Sequence, residues 1–120
     1  MEAIQRVVVE NSRSIVITEA GNSFALGTHH LRFDEPGRYR VSTGFGSMGH
    51  AVSGVVGAAI GSGRRAVAIA GDGAMLMQSE ISTPVQYDVD TVWIVLNDSP
   101  YGMIEQGMRS LEWSPFATEI

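Results

Sequence analysis

The stretch "AVAIAGDGAMLMQ" (residues 66–78) decides the fold. Its first five residues form an apolar run without polar alternation, the pattern of a short strand covered on both faces. The run breaks at Gly71-Asp72-Gly73, and apolar residues resume at once. Asp and Gly suit a turn. A turn ending a buried strand is also a place where backbone can approach a ligand and a carboxylate can be aimed at it. Working outward, the same arrangement recurs. "SIVITEAG" is a strand that ends in the turn Glu19-Ala20-Gly21-Asn22-Ser23. "RYRVST" is a short strand leading into "GFGSMG" (residues 44–49), and "TVWIVL" is a second buried strand ending in Asn97-Asp98.

Helical patterns separate these strands. Residues 1–12 read as a short amphipathic helix with Ile4, Val7 and Val8 on one face. "SFALGTHHLRF" begins helical and turns irregular, and "DEPG" at 34–37 is a turn signal. From His50, residues Val52, Val55, Val56, Ala59 and Ile60 recur at helical spacing, while Gly57 and Gly61 leave room for close packing. Residues 79–87 read as a helix with Ser79 as N-cap, in which Pro84 sits awkwardly. Ser99-Pro100 reads as a helix start, an N-cap followed by proline at the first helical position. Strand and helix alternate throughout, which predicts an α/β fold, a parallel sheet with helices on both faces.

Composition bounds the function. The 120 residues suit one domain or part of one, and 44% hydrophobic with 18% charged residues can bury a core. A formal charge of −5 argues against a nucleic-acid surface. The absence of cysteine removes disulfides, thiolate nucleophiles and cysteine-based zinc sites, and fits a reducing cytoplasm. "AVSGVVGAAIG", the longest apolar segment, is too short to span a bilayer, and the amino-terminal "MEAIQRVVVENSR" is not a signal peptide.

In a parallel sheet, ligands bind outside the carboxyl ends of the strands, where all four turns lie. Two chemistries compete for them. "GFGSMG" has the G-x-G-x-x-G spacing of a dinucleotide fingerprint through Gly44, Gly46 and Gly49, with Asp72 lying 23 residues after Gly49. Against it, polar Ser42 and Thr43 separate the strand's apolar part from the first glycine, and Asp72 is flanked by glycines. The alternative is a metal site built from Asp72 and Asn97-Asp98, whose oxygen donors suit Mg²⁺ together with phosphate. Gly73 and Ala74 would then offer backbone N–H groups to that phosphate.

Three motifs favour the second chemistry by resemblance. "GDGAMLMQSEISTPVQYDVDTVWIVLNDSPYGM" resembles the thiamine-diphosphate motif, with 26 positions from Asp72 to Asp98. "STGFGSMGHAVSGVVGAAIG" and "TEAGNS" resemble the preceding segments of acetolactate synthase, benzoylformate decarboxylase and related enzymes. The resemblance implies Mg²⁺ bound by Asp72 and Asp98 side chains and by the Pro100 carbonyl. It implies diphosphate contacts from Asn22, Ser23, Gly73 and Ala74. The Gly46 carbonyl would accept from the aminopyrimidine amino group, and Met48 would wedge under the cofactor's bend. Tyr101, Gly102 and Met103 would lie beside the diphosphate and the reacting carbon.

The same family places its pyrimidine-activating glutamate on a separate domain, and no segment here resembles that domain. The resemblance implies further strands and helices beyond "SPFATEI", so the expectation is a domain whose carboxyl-terminal part is missing here. The expectation is a cofactor-anchoring subunit or fragment of an oligomeric enzyme. It would act on a 2-oxo acid or aldehyde with a partner that carries the glutamate. A Rossmann-type nicotinamide or flavin domain, or a non-catalytic assembly subunit, are the alternatives. Asp98 stands where the family usually has Asn. Met75 and Met77 read as core, His50 as lining the start of its helix, and Glu10, Glu35 and Glu105 as solvated charges.

Overall fold

A computed structural model describes residues 1–120. The two most continuously apolar runs, Ile15–Thr18 (β1) and Ala66–Gly71 (β3), are the inner strands of a four-stranded sheet. The order is β2-β1-β3-β4, with β2 at Tyr39–Val41 and β4 at Thr91–Leu96, and every pairing is parallel. Parallel neighbours require crossovers. These are supplied by α2 (Asn22–His30), α3 (His50–Ser62) and the short α4 (Asp72–Met75) and α5 (Ser82–Gln86). The helix α6 (Gly102–Ser110) follows β4, and α1 (Glu2–Ile4), continued by one π-helical stretch at Gln5–Glu10, precedes β1.

Alternate residues of the inner strands face opposite layers. Ile15, Ile17, Ala66 and Ala68 pack against Ala51, Val55, Val56 and Ala59 of α3. Val16 and Ile69 pack on the other side against Val9 and Leu31. Helices therefore cover both faces, as the alternation of the sequence predicts.

Several local expectations are corrected. In the amino-terminal helix, Ile4 and Val8 pack inward, but Val9 is buried in place of Val7, which is 60% exposed. The cause is the wider turn: the Asn11 N–H reaches back five residues to the Arg6 carbonyl, which swings Val9 inward. On α3 the buried stripe is Ala51, Val52, Val55, Val56 and Ala59, while Ile60 is exposed and Gly57 and Gly61 face open space. Strand β4 is an edge strand and not fully buried: Val92 and Val95 lie exposed.

Ser79 caps no helix. α5 begins at Ser82, and Gln78 Oε1 accepts the N–H groups of Glu80 and Ile81 in the turn before it. Pro84 thereby falls within the first helical turn, where a missing N–H costs nothing. The start at Ser99-Pro100 is also displaced. Pro100 bridges to Glu119, the Tyr101 N–H donates to the Thr118 carbonyl at 2.7 Å, and α6 begins only at Gly102.

The amino edge of the sheet is braced by charge. The buried Arg38 guanidinium donates to the carbonyls of Val9, Ser12 and Ser14 and to Asp34. Glu35 is not simply solvated: it joins Arg13 at 2.9 Å and Arg64 at 3.0 Å. Hydrogen bonding from Arg64, helped by Arg13, holds its carboxyl below the usual range. No helix is long and apolar enough to cross a membrane.

Candidate functional site

The order β2-β1-β3-β4 has its reversal between β1 and β3, since the chain runs outward from β1 to β2 and then returns to β3. Crevices form at the carboxyl ends of strands at such a point. A cavity of about 970 Å³ opens there. Its walls come from the turns after all four strands and from the first turn of α6. All twelve residues singled out in the sequence line it: Asn22, Ser23, Gly46, Met48, Asp72, Gly73, Ala74, Asp98, Pro100, Tyr101, Gly102 and Met103.

Asp72 is the first residue of α4 and half-buried at the cavity floor. Its Oδ1 accepts the Gly73 N–H at 2.9 Å and its Oδ2 accepts the Ser99 N–H at 2.9 Å, so one carboxylate ties the β3 turn to the β4 turn. Ser99, at φ +67°, shares that N–H with Asn97 Oδ1 at 3.0 Å. Ser99 does not cap α6: it takes a left-handed conformation in place of the extended one a cap needs, and it lies three residues before the helix start at Gly102.

Two glycines create the space in which these groups meet. A Cβ on Gly102 would collide with Asp98 Oδ2, and would lie 2.9 Å from Asp98 Cγ and 3.2 Å from Asn22 Nδ2. Gly102 thus allows the Asp98 carboxylate and the Asn22 amide to converge over bare backbone. A Cβ on Gly73 would stand 2.6 Å from Tyr101 Cε1 and 2.9 Å from Cδ1. The second glycine of Gly-Asp-Gly therefore makes room for an aromatic ring of the chain itself, in addition to anything the cavity receives. No side chain caps α2 or α6, which leaves their first-turn N–H groups without capping partners at the cavity wall, whereas in α4 the Gly73 N–H is taken by Asp72. Ser23 contributes backbone only, because its hydroxyl donates inward to the Glu19 carbonyl at 3.1 Å.

Gly46 and Met48 lie in the exposed loop between β2 and α3 and reach the cavity from the far side. Gly46 and Gly49 take φ of +72° and +97°, which explains glycine at those two positions. The dinucleotide alternative fails on the same geometry. Gly44 and Gly49 do not line the cavity. The N–H groups of Ala51 and Val52 at the start of α3, which a pyrophosphate would need, instead donate to Glu19 Oε1 at 2.7 and 3.0 Å.

The charge of the cavity is one-sided. Asp72 and Asp98 are its only charged side chains, with no Lys, Arg or His among the lining residues. No three His, Cys, Asp or Glu side chains converge anywhere in the chain. An anionic ligand would have to bring or recruit a cation, and the donors on offer are carboxylates, amide and carbonyl oxygens, a set suited to Mg²⁺ with phosphate. These residues fit a metal-bound diphosphate: the convergence over Gly102 and the uncapped helix starts meet both needs.

Sequence reasoning missed Leu26, Val95, Ile104 and Gln106, which also line the cavity. Leu26 follows Asn22, and Gln106 follows Gly102, by one helical turn, a spacing that would have found them. Met77 is half-exposed against Gly49 and not core, whereas Met75 packs with Val52, Ala70 and Ala74.

Comparison with known proteins identifies the family. The family model of the thiamine pyrophosphate enzyme C-terminal TPP binding domain matches residues 19–118. The chain is 36% identical over 93 residues to the sulfoacetaldehyde acetyltransferase of Alcaligenes xylosoxydans xylosoxydans, covering 76% of this chain and 15% of that protein. It is 31% identical over 108 residues to the acetolactate synthase large subunit of Haemophilus influenzae, covering 88% of this chain and 18% of that protein. It is 29% identical over 93 residues to the acetolactate synthase isozyme 3 large subunit of Escherichia coli, covering 76% and 16% respectively. The chain thus spans less than one fifth of the length of these relatives. Its match with the family model runs from the turn after β1 to the segment that bridges back to Pro100, and by that match the chain belongs to the thiamine pyrophosphate enzymes, as a C-terminal TPP-binding domain.

Proposed function

We propose that the chain anchors thiamine diphosphate through Mg²⁺, as one part of an oligomeric enzyme of acetolactate synthase or sulfoacetaldehyde acetyltransferase type. The observation that carries this reading is the single cavity with twelve expected residues on its walls and no basic side chain to meet an anion. In this reading Asp72, Asp98 and the Pro100 carbonyl hold the metal. Backbone N–H groups at Asn22, Ser23, Gly73 and Ala74 meet the diphosphate. The Gly73 N–H, now held by Asp72, would become available to the diphosphate were that carboxylate to hold a cation. The Gly46 carbonyl orients the aminopyrimidine, Met48 supports the bend, and Tyr101, Gly102 and Met103 flank the reacting end. When bound, thiamine diphosphate supplies the carbanion chemistry at a 2-oxo acid or aldehyde carbonyl, for decarboxylation or carboligation. The activating glutamate comes from a partner domain or subunit, and the 120 residues act as the incomplete half of a shared site.

Calorimetry with thiamine diphosphate, with and without Mg²⁺, against NAD⁺ tests the reading. We expect metal-dependent binding of thiamine diphosphate, lost in Asp72→Ala while the fold is retained. Tight, metal-independent binding of NAD⁺ would refute it. No binding of either ligand, even with a copurifying partner, would leave an assembly role.

A further inference from the structure

Glu19 is only 1% exposed, and with Arg38 it is one of two charged residues buried in the fold. Its backbone N–H donates to the Ile69 carbonyl at 3.0 Å, joining β1 to β3. Its carbonyl accepts from Ser23 Oγ at 3.1 Å, joining the first turn of α2. Its side-chain Oε1 accepts the N–H groups of Ala51 and Val52 at 2.7 and 3.0 Å, joining the start of α3. On the other side of that turn, Trp93 Nε1 donates to the Val52 carbonyl at 2.8 Å, joining β4. One residue thus touches three of the elements whose ends wall the cavity.

The loop before α3 has little hold of its own. Residues 43–48 are all exposed, Phe45 at 93%, so no buried side chain fixes the stretch that carries Gly46 and Met48. Where that stretch stands is inherited from where α3 begins, which the packing of Ala51 and Val52 and the Glu19 carboxylate set together. A negative group is also favoured at a helix N-terminus. Glu19 Oε2 is buried with no partner, so the side chain's hold runs through Oε1 alone and depends on reach.

We propose that Glu19 is a positioning residue: it holds the Gly46–Met48 wall at a set distance from the Asn22–Ser23 wall, and so fixes the width of the cavity for its cofactor. This rests on the cavity being the thiamine-diphosphate site. Glu19 itself does not line the cavity; it acts through α3.

The test is calorimetric titration of the intact protein with thiamine diphosphate and Mg²⁺, with thermal unfolding in parallel. Glu19→Gln keeps an oxygen in reach and loses the charge. Glu19→Asp keeps the charge and withdraws the oxygen by one methylene. Positioning by reach predicts that Gln stays within about threefold of wild-type affinity while Asp and Ala lose about tenfold or more. Val9→Ala, in the cluster on the opposite face of the sheet, is the control: it lowers stability and keeps affinity. If Glu19→Ala does not fold, the ordering of Gln over Asp decides alone. Asp binding as well as Gln or better, Asp at wild-type affinity, or Val9→Ala losing as much affinity as Asp would each overturn the proposal. A wild-type protein that binds no thiamine diphosphate, even together with its copurifying partner, would instead refute the cofactor reading, before any variant is made.

Discussion

Replacing Gly73 by alanine probes the packing beneath the site. In an open helical position the change stabilises by about 0.5–1 kcal/mol, through propensity and lost unfolded-state entropy. Gly73 is not open: its new Cβ would stand 2.6 Å from Tyr101 Cε1. Carbon atoms rest about 3.5–4.0 Å apart, so the ring must retreat by roughly 1 Å. It cannot retreat freely. The Tyr101 N–H is held by Thr118 at 2.7 Å and its carbonyl accepts the Glu105 N–H at 3.0 Å. Overpacking of this kind costs about 1–3 kcal/mol. The net expectation is destabilisation by about 1 kcal/mol, or a fall in Tm of about 3–6 °C for a chain of this size. Thermal and urea unfolding measure it, and a double-mutant cycle isolates the cause. In a Tyr101→Ala background the ring is gone, and Gly73→Ala should become neutral or stabilising. Equal destabilisation with and without the ring would refute the reasoning, as would a wild-type background stabilised by the alanine.

Asp98→Asn should weaken Mg²⁺ or Mn²⁺ binding in the cofactor-free protein, on the order of tenfold, because one ligand charge is removed. It should still support a ternary complex, because an oxygen remains; unchanged metal affinity would reject Asp98 as a ligand. For Glu35 the sign follows from its depressed folded-state pKa. Its contribution is present above the ordinary carboxylate range and disappears as pH falls through the folded value. Glu35→Gln should therefore be less stable than wild type at neutral pH, and the gap should close as the pH falls below the ordinary carboxylate range and through the lowered folded-state value. A gap that persists in acid would point to lost packing and not to the Arg13 and Arg64 pairs.

Legibility from the sequence followed how local each cause was. The inner strands were legible because β1 and β3 are buried along nearly their whole length, and continuous apolarity records that. The cavity turns were legible because each sits directly after its strand. β4 misled because "TVWIVL" is as apolar as an inner strand, and a run of residues does not say how many neighbours a strand has. Ser99-Pro100 misled because cap chemistry is local, whereas the Asp72 carboxylate and the return of residues 118–119 are distant in sequence. Glu19 read as an ordinary turn residue, since its partners lie 32 and 33 positions away.

The strand order has a kinetic consequence. The central pair joins Ile15 to Ala66 and Thr18 to Ile69, so the two turns facing each other across the cavity belong to strands about fifty positions apart. Loops of that length close late, because their entropy is spent before any contact rewards it. α3 and its stripe can form early from neighbours in sequence, but β1 has no inner partner until β3 has arrived. The cavity is thus the last feature of the sheet to be born. A ligand that binds there acts on a finished molecule, and its binding during refolding should track the slowest phase and none before it.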